Sequence, residues 1–228
     1  MGPEVASRMA SMRSRAQQPS VPIFRKENVD LKKRAQVLNS VVLIHGLFQA
    51  CTWPELFTAE LKRVHTAVMN AYRKLIGSQC GDKIRRASDA ETLKATGLVA
   101  PRVLLATSRV RLLCRLAVTS QGVLMDMLAE AAQARRSWVA AISRDLAILS
   151  AGAAFEEMHG ASIPLWVERI RGAPASFRRH LDKAAAEASI NEARNWAVTE
   201  SAKAFGEEFE CTECHAKFDS KQALAVHK

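Results

Sequence analysis

The sequence predicts an all-α fold: an irregular multi-helix bundle with a small C-terminal ββα module and a disordered N-terminal tail. Three observations point there. Ala, Leu, Arg and Glu dominate a chain that has 10 glycines and 7 prolines among 228 residues, and such side chains lose little freedom in a helix. Aromatic residues make up 6% and tyrosine occurs once, too few bulky strand formers for a sandwich or a barrel. Through most of the chain, apolar residues recur every three or four positions, the period of a helix with one buried face.

Residues 1–26 read as a disordered basic tail, with Pro3, Pro19 and Pro22 set among Ser, Gln and Arg without a period. Residues 27–205 form the helical region, divided at 118/119. Leu31, Ala35, Leu38 and Val42 start it at helical spacing, although Val41 to Ile44 suits a buried strand equally well. Thr52 and Glu55 form a capping box around Pro54. The helix they open places Phe57, Leu61, Val64, Val68, Tyr72 and Leu75 on one stripe before Gly77. Ser88 and Glu91 form a second box, for a short helix that ends near Gly97. Pro101 opens a helix with Val103, Leu104, Val110, Leu113 and Leu116 inward.

Two amphipathic segments follow, 120–133 and 136–149, the second carrying Trp138, Ile142, Leu146 and Leu149. Small residues at 151–154 break the pattern. Pro164 to Ile170 is a short helix with Trp166, and Pro174 to Phe205 one long helix with Phe177, Leu181 and Trp196. The three tryptophans are expected to anchor the core.

The net charge of +10 is concentrated. Residues 62–144 carry +10, while 145–228 carry −3. Such a block attracts polyanions, of which nucleic acid is the commonest large one. The expected contacts are Lys62, Arg63, Arg73, Lys74, Arg102, Arg109, Arg111 and Arg115, which neutralise the backbone of DNA or RNA with little base specificity. The plainer alternative is a solvated, arginine-rich helical surface. The longest apolar stretch, Val41 to Cys51, is interrupted by His45, Gly46 and Gln49, so no membrane contact is expected. An odd number of cysteines, 5, points to a reducing compartment, nuclear or cytoplasmic. His65 lies beside an apolar stripe and reads as structural. No phosphate-binding glycine loop, paired carboxylates or nucleophile–base pair stands out.

The last residues, 206–228, hold the sharpest motif. Cys211 and Cys214 are followed after twelve residues by His227, with Phe209, Phe218 and Leu224 at the apolar positions between and around them. These are three ligands of a two-Cys, two-His zinc finger, with thiolates from a hairpin and an imidazole from a helix. The fourth ligand, a His about four to six residues beyond His227, is expected in a longer chain. His215, adjacent to Cys214, is a poor substitute. Aligned on Leu224 and His227, the base-reading positions fall on Ser220, Ala223 and Val226. Ala and Val make no bidentate bonds to base edges, so sequence-specific reading is not expected.

The order of the central segments carries a resemblance. Leu43-Ile-His-Gly46 is followed by Trp53-Pro-Glu-Leu56, then by a basic helix from Leu61 to Gly77. An acidic segment, Asp89 to Gly97, comes next, and then alternating Arg and Leu from Ser108 to Leu116. From Arg34 to Leu116 the chain resembles the region that follows the catalytic palm in LINE-type (non-LTR) retrotransposon reverse transcriptases. The resemblance implies that 27–118 is thumb-like and tracks a template–primer duplex, and a C-terminal Cys/His finger also fits such elements. It does not imply polymerase activity. There is no Tyr-x-Asp-Asp motif and no Asp-Asp pair in the chain, and polymerisation needs carboxylates to hold two metal ions. The expected function is therefore non-catalytic: a zinc-ion-binding, nucleic-acid-binding segment. A helical scaffold for a protein partner, or a degenerate retroelement product without activity of its own, stays open beside it.

Overall fold

A computed structural model describes residues 2–17, 28–76, 87–119, 122–124, 126, 128, 136–205, 209–210 and 217–218. Its described residues are helices and their connections, plus one two-stranded ladder near the C-terminus.

The N-terminal residues correct the sequence reading. Gly2–Gln17, expected within a disordered tail, form helix α1. Val5, Met9 and Met12 lie on one face and are buried. That stripe is short and two of its three members are methionines, so the prolines and arginines around it masked the period. α1 lies along the later helix α4 (Thr58–Arg73) in the same direction. A Cβ on Gly2 would stand 3.5 Å from Oε1 of Glu60, and at the other end Lys74 donates to the Ala16 carbonyl at 2.5 Å.

Asp30 caps α2 (Leu31–Val37), accepting the Lys32 N–H at 3.1 Å. The helical path continues through a wide π turn, Leu38–Leu43, into α3 (Ile44–Leu47). The segment that also suits a strand is thus helical, and Ser40 in the wide turn bonds back to the carbonyls of Gln36 and Val37. Gly46 sits where α1 crosses α3: a Cβ there would lie 2.8 Å from Sδ of Met12.

α4 starts later than the sequence suggests. Thr52 belongs to a 3₁₀ turn, Ala50–Thr52, and its hydroxyl donates to the Gln49 carbonyl at 2.8 Å. The cap comes from Glu60, whose carboxylate accepts the Phe57 N–H at 2.8 Å. Val64, Val68, Tyr72 and Leu75 are buried as expected, whereas Phe57 is exposed. Gly77 lies outside the described residues.

α5 (Asp89–Thr96) has the expected box: the Glu91 N–H donates to Ser88 Oγ at 3.2 Å and the Ser88 N–H to Glu91 Oε2 at 2.7 Å. Gly97 closes it at φ 64°, a left-handed position that suits glycine. α6 (Pro101–Thr119) is buried on most of its circumference, packing on α4 and on α7 (Trp138–Leu149), α8 (Ile163–Gly172) and α9 (Pro174–Phe205). A helix covered on most sides by its neighbours is the centre of a bundle. Between α7 and α8, a 3₁₀ turn, Ala153–Met158, brings Phe155 against Trp166 and Phe177, each with ring centroids 5.1 Å away. One core cluster runs from Val5 to Ala188 and crosses the 118/119 division. The side chain of Trp196 lies outside the described residues.

Candidate functional site

α6 has one open stripe. Leu104 and Ser108 begin it half-buried, and Arg111, Arg115 and Val118 continue it into solvent at intervals of three or four residues. Arg111 and Arg115 therefore stand one helical turn apart on the same face. Arg111 pairs with Asp182 of α9 at 2.7 Å, both side chains more than half exposed. Arg115 pairs with no carboxylate among the described residues.

Two further arginines approach α6 from neighbouring helices. Arg171 of α8 donates from Nε to the Ala117 carbonyl at 3.3 Å, placing a cation where the last carbonyls of α6 collect negative charge. Arg178 of α9 lies close enough, with Arg111, to act on the Cys114 thiol. Burial pushes that thiol up to about 11, and the two cations offset it only in part. Arg171 and Arg178 were not among the expected contacts. They sit in the segment of net negative charge, and a charge tally along the sequence hides a pair of cations that a fold returns to a basic helix.

The remaining expected contacts divide. Lys62, Arg63 and Arg102 are exposed. Arg102 stands near Asp145 and near Glu192, whose carboxyl burial raises above its ordinary range against the pull of Arg102 and His65. Lys74 is half-buried, with its ammonium on the Ala16 carbonyl.

Arg73 and Arg109 correct the sequence reading, because both are interior. Arg109, 5% exposed, reaches Asp145 of α7 at 2.9 Å and donates to the carbonyls of Trp53 at 3.1 Å and Pro54 at 3.5 Å. Asp145 is itself 5% exposed, and burial raises its carboxyl against the lowering pull of Arg109. Arg73, 8% exposed, pairs with Asp89 and donates to the Ala87 carbonyl at 2.9 Å. The second oxygen of Asp89 is 2.7 Å from Nε2 of His65. Burial alone would raise Asp89, but the His65 and Arg73 contacts outweigh it and hold the carboxyl below its ordinary range. Alternating Arg and Leu along a helix does not say which arginines turn inward. The partners that decide it lie 36 residues away for Arg109 and 16 for Arg73.

At the C-terminus, Phe209–Glu210 and Lys217–Phe218 pair as antiparallel strands β1 and β2, with Phe209 opposite Phe218 and Glu210 opposite Lys217. Cys211 and Cys214 fall in the connection between these strands. Cys211, Cys214 and His227 lie outside the described residues. Among the described residues, no group of three His, Cys, Asp or Glu side chains is arranged to hold a metal ion. No helix among them is long and apolar enough to cross a membrane. An open depression between the 153–158 turn and α8 and α9 holds Arg169, His180 and Lys183 with Glu156 and Glu157, and Arg169 pairs with Glu157 at 2.7 Å. Its charges are mixed and favour no single ligand. Comparisons with family models, with curated proteins and with solved structures give no match.

Proposed function

We propose that the chain is a non-catalytic nucleic-acid-binding segment of retroelement origin, with a zinc-binding finger of ββα form at its C-terminal end. What carries the reading is the open stripe of α6. Two arginines stand one turn apart on its exposed face, where Asp182 pairs with one of them, and two more approach the same helix from its neighbours. Guanidinium groups in that arrangement bind phosphate oxygens through paired N–H donors and are indifferent to base identity. Lys62 and Arg63 are further exposed cations, on α4. The likeness of 34–116 to the thumb region of LINE-type reverse transcriptases supports a backbone-tracking role.

The strand pair supports the finger. It sets Phe209 opposite Phe218 in register, and the Cys-x-x-Cys spacing in the sequence between the two strands suits two thiolates that share one ion. Cys211, Cys214 and His227 would hold zinc. The ion would supply folding energy to a module too small to be stable on apolar burial alone. The acidic residues Glu207, Glu208, Glu210 and Glu213 beside it repel a polyanion, so binding is assigned to α6.

The test is a titration of duplex DNA and RNA against the full chain over a range of salt. If three of these arginines take phosphates, log affinity falls against log salt with a slope of about −3. Arg111→Glu with Arg115→Glu removes most of the binding and leaves the helical signal intact, because both side chains are exposed. No binding at low salt rejects the reading and favours a protein-interaction scaffold.

A further inference from the structure

We propose that the connection between α3 and α4, residues 48–57, is a platform for the bases of an unpaired nucleic-acid strand. The proposal rests on the nucleic-acid reading above and adds the form of the ligand.

The segment is held by side chains from three other helices. Arg8 of α1 donates to the Phe48 carbonyl and lies over the Trp53 ring, 5.6 Å from its centroid. Trp138 of α7 donates from Nε1 to the Cys51 carbonyl at 2.7 Å. Arg109 of α6 takes the carbonyls of Trp53 and Pro54, and Arg144 of α7 pairs with Glu55. Trp53, 2% exposed, pins the middle of the segment into the core. A loop fixed in this way presents its outer side chains already ordered, which lowers the entropy cost of binding.

Its two ends present aromatic rings. Phe48 is 58% exposed and Phe57 is 54% exposed. The guanidinium of Arg136 lies over the Phe57 ring, its carbon 3.4 Å from the centroid. Among the described residues Arg136 forms no ion pair with a carboxylate. A guanidinium stacked flat on a ring keeps its N–H edges directed outward, the geometry that receives phosphate oxygens. An exposed aromatic ring together with a cation that meets no carboxylate among the described residues is what a nucleotide needs, since the base stacks and the phosphate pairs. In a duplex both faces of each base are covered by neighbours, so such a platform selects unpaired bases. An apolar peptide would cover the rings equally well but would leave Arg136 without a counter-charge.

The experiment uses the full chain and three labelled probes at fixed salt: oligo-deoxythymidylate of about twenty nucleotides, longer than the ~4–16 a single site spans, a duplex of that length, and an abasic strand with the same phosphates. The wild-type chain is expected to bind the thymidylate strand about ten-fold or more tightly than the abasic one, the contribution of one or two stacked bases. Phe48→Ala with Phe57→Ala should erase that difference while duplex affinity stays within about two-fold. Arg111→Glu with Arg115→Glu should do the reverse. Equal wild-type affinity for thymidylate and abasic strands overturns the proposal without any variant. A parallel loss of duplex and thymidylate binding in the phenylalanine variant also overturns it. Duplex binding without single-strand binding rejects the platform and leaves the α6 reading standing, whereas binding of no probe rejects both.

Discussion

Arg109 and Asp145 face each other at 2.9 Å between α6 and α7, in a setting where each is 5% exposed. The pair does more than neutralise itself. The remaining donors of Arg109 take the carbonyls of Trp53 and Pro54, so one guanidinium ties two helices to the loop that leads into α4. Asp145→Asn leaves a buried cation without its counter-charge, and a loss of ~3–5 kcal/mol is expected. Urea unfolding followed by circular dichroism measures it. Replacing both members, Arg109→Met with Asp145→Leu, should cost clearly less than the single change, and an equal or greater loss would assign the energy to the carbonyl bonds instead.

Asp89 gives the stability a defined acid dependence. Its carboxyl is held below the ordinary range by His65 and Arg73, so the folded state favours the ionised form. The resulting stability is present above the usual carboxylate pKa of about 4 and is lost as pH falls through the lower folded value. Asp89→Asn should be less stable near neutrality by roughly 1–3 kcal/mol, with a flatter profile below about pH 4. Denaturation series at several pH values decide this, and parallel curves for the two proteins would contradict it.

The indole N–H of Trp53 is buried and finds no acceptor among the described residues. A buried donor without a partner costs about 1–3 kcal/mol. Trp53→Phe removes the donor and some packing volume together, so the change should cost well under the ~3–5 kcal/mol typical of deleting a large core ring. A thermal melt compared with Trp53→Ala, which also empties the cavity, separates the two contributions.

Cys114 should be chemically inert in the folded protein. With its thiol raised to about 11 by burial, Cys114 is almost wholly protonated near neutrality and should resist alkylation in the native protein. Mass spectrometry after brief iodoacetamide treatment is expected to find Cys114 unmodified until denaturant is added.

Zinc is expected in purified protein at about one ion per chain, and Cys211→Ser with Cys214→Ser should remove it. Among the described residues the buried core cluster draws on Val5 to Ala188, so chelation should leave the main helical unfolding transition in place. A metal-free preparation, or a chelator that melts the whole chain, would each be inconsistent with a separate zinc-held finger.

Helix boundaries set by short-range chemistry were readable from the residues alone. The Ser88–Glu91 box, Gly97 and the Pro101 and Pro174 starts act within a few positions of themselves, and the elements begin and end where those residues stand. The Thr52–Glu55 box failed because it competed with a longer-range demand: Glu55 is taken by Arg144 and the cap falls to Glu60. The basic site was legible in part. Arg111 and Arg115 are where a charge count places them, but Arg73 and Arg109 turn inward to acids that only the fold brings near. Phe57 and Arg136 meet no motif at all, since their contact exists only once the fold brings them together.

The direction of α1 bears on how the protein is prepared. Because it runs beside α4 from Gly2 to the Ala16 carbonyl, a shortened clone that discards the first seventeen residues would lay bare the core surface that Val5, Met9 and Met12 help to fill. Such a product should precipitate or self-associate.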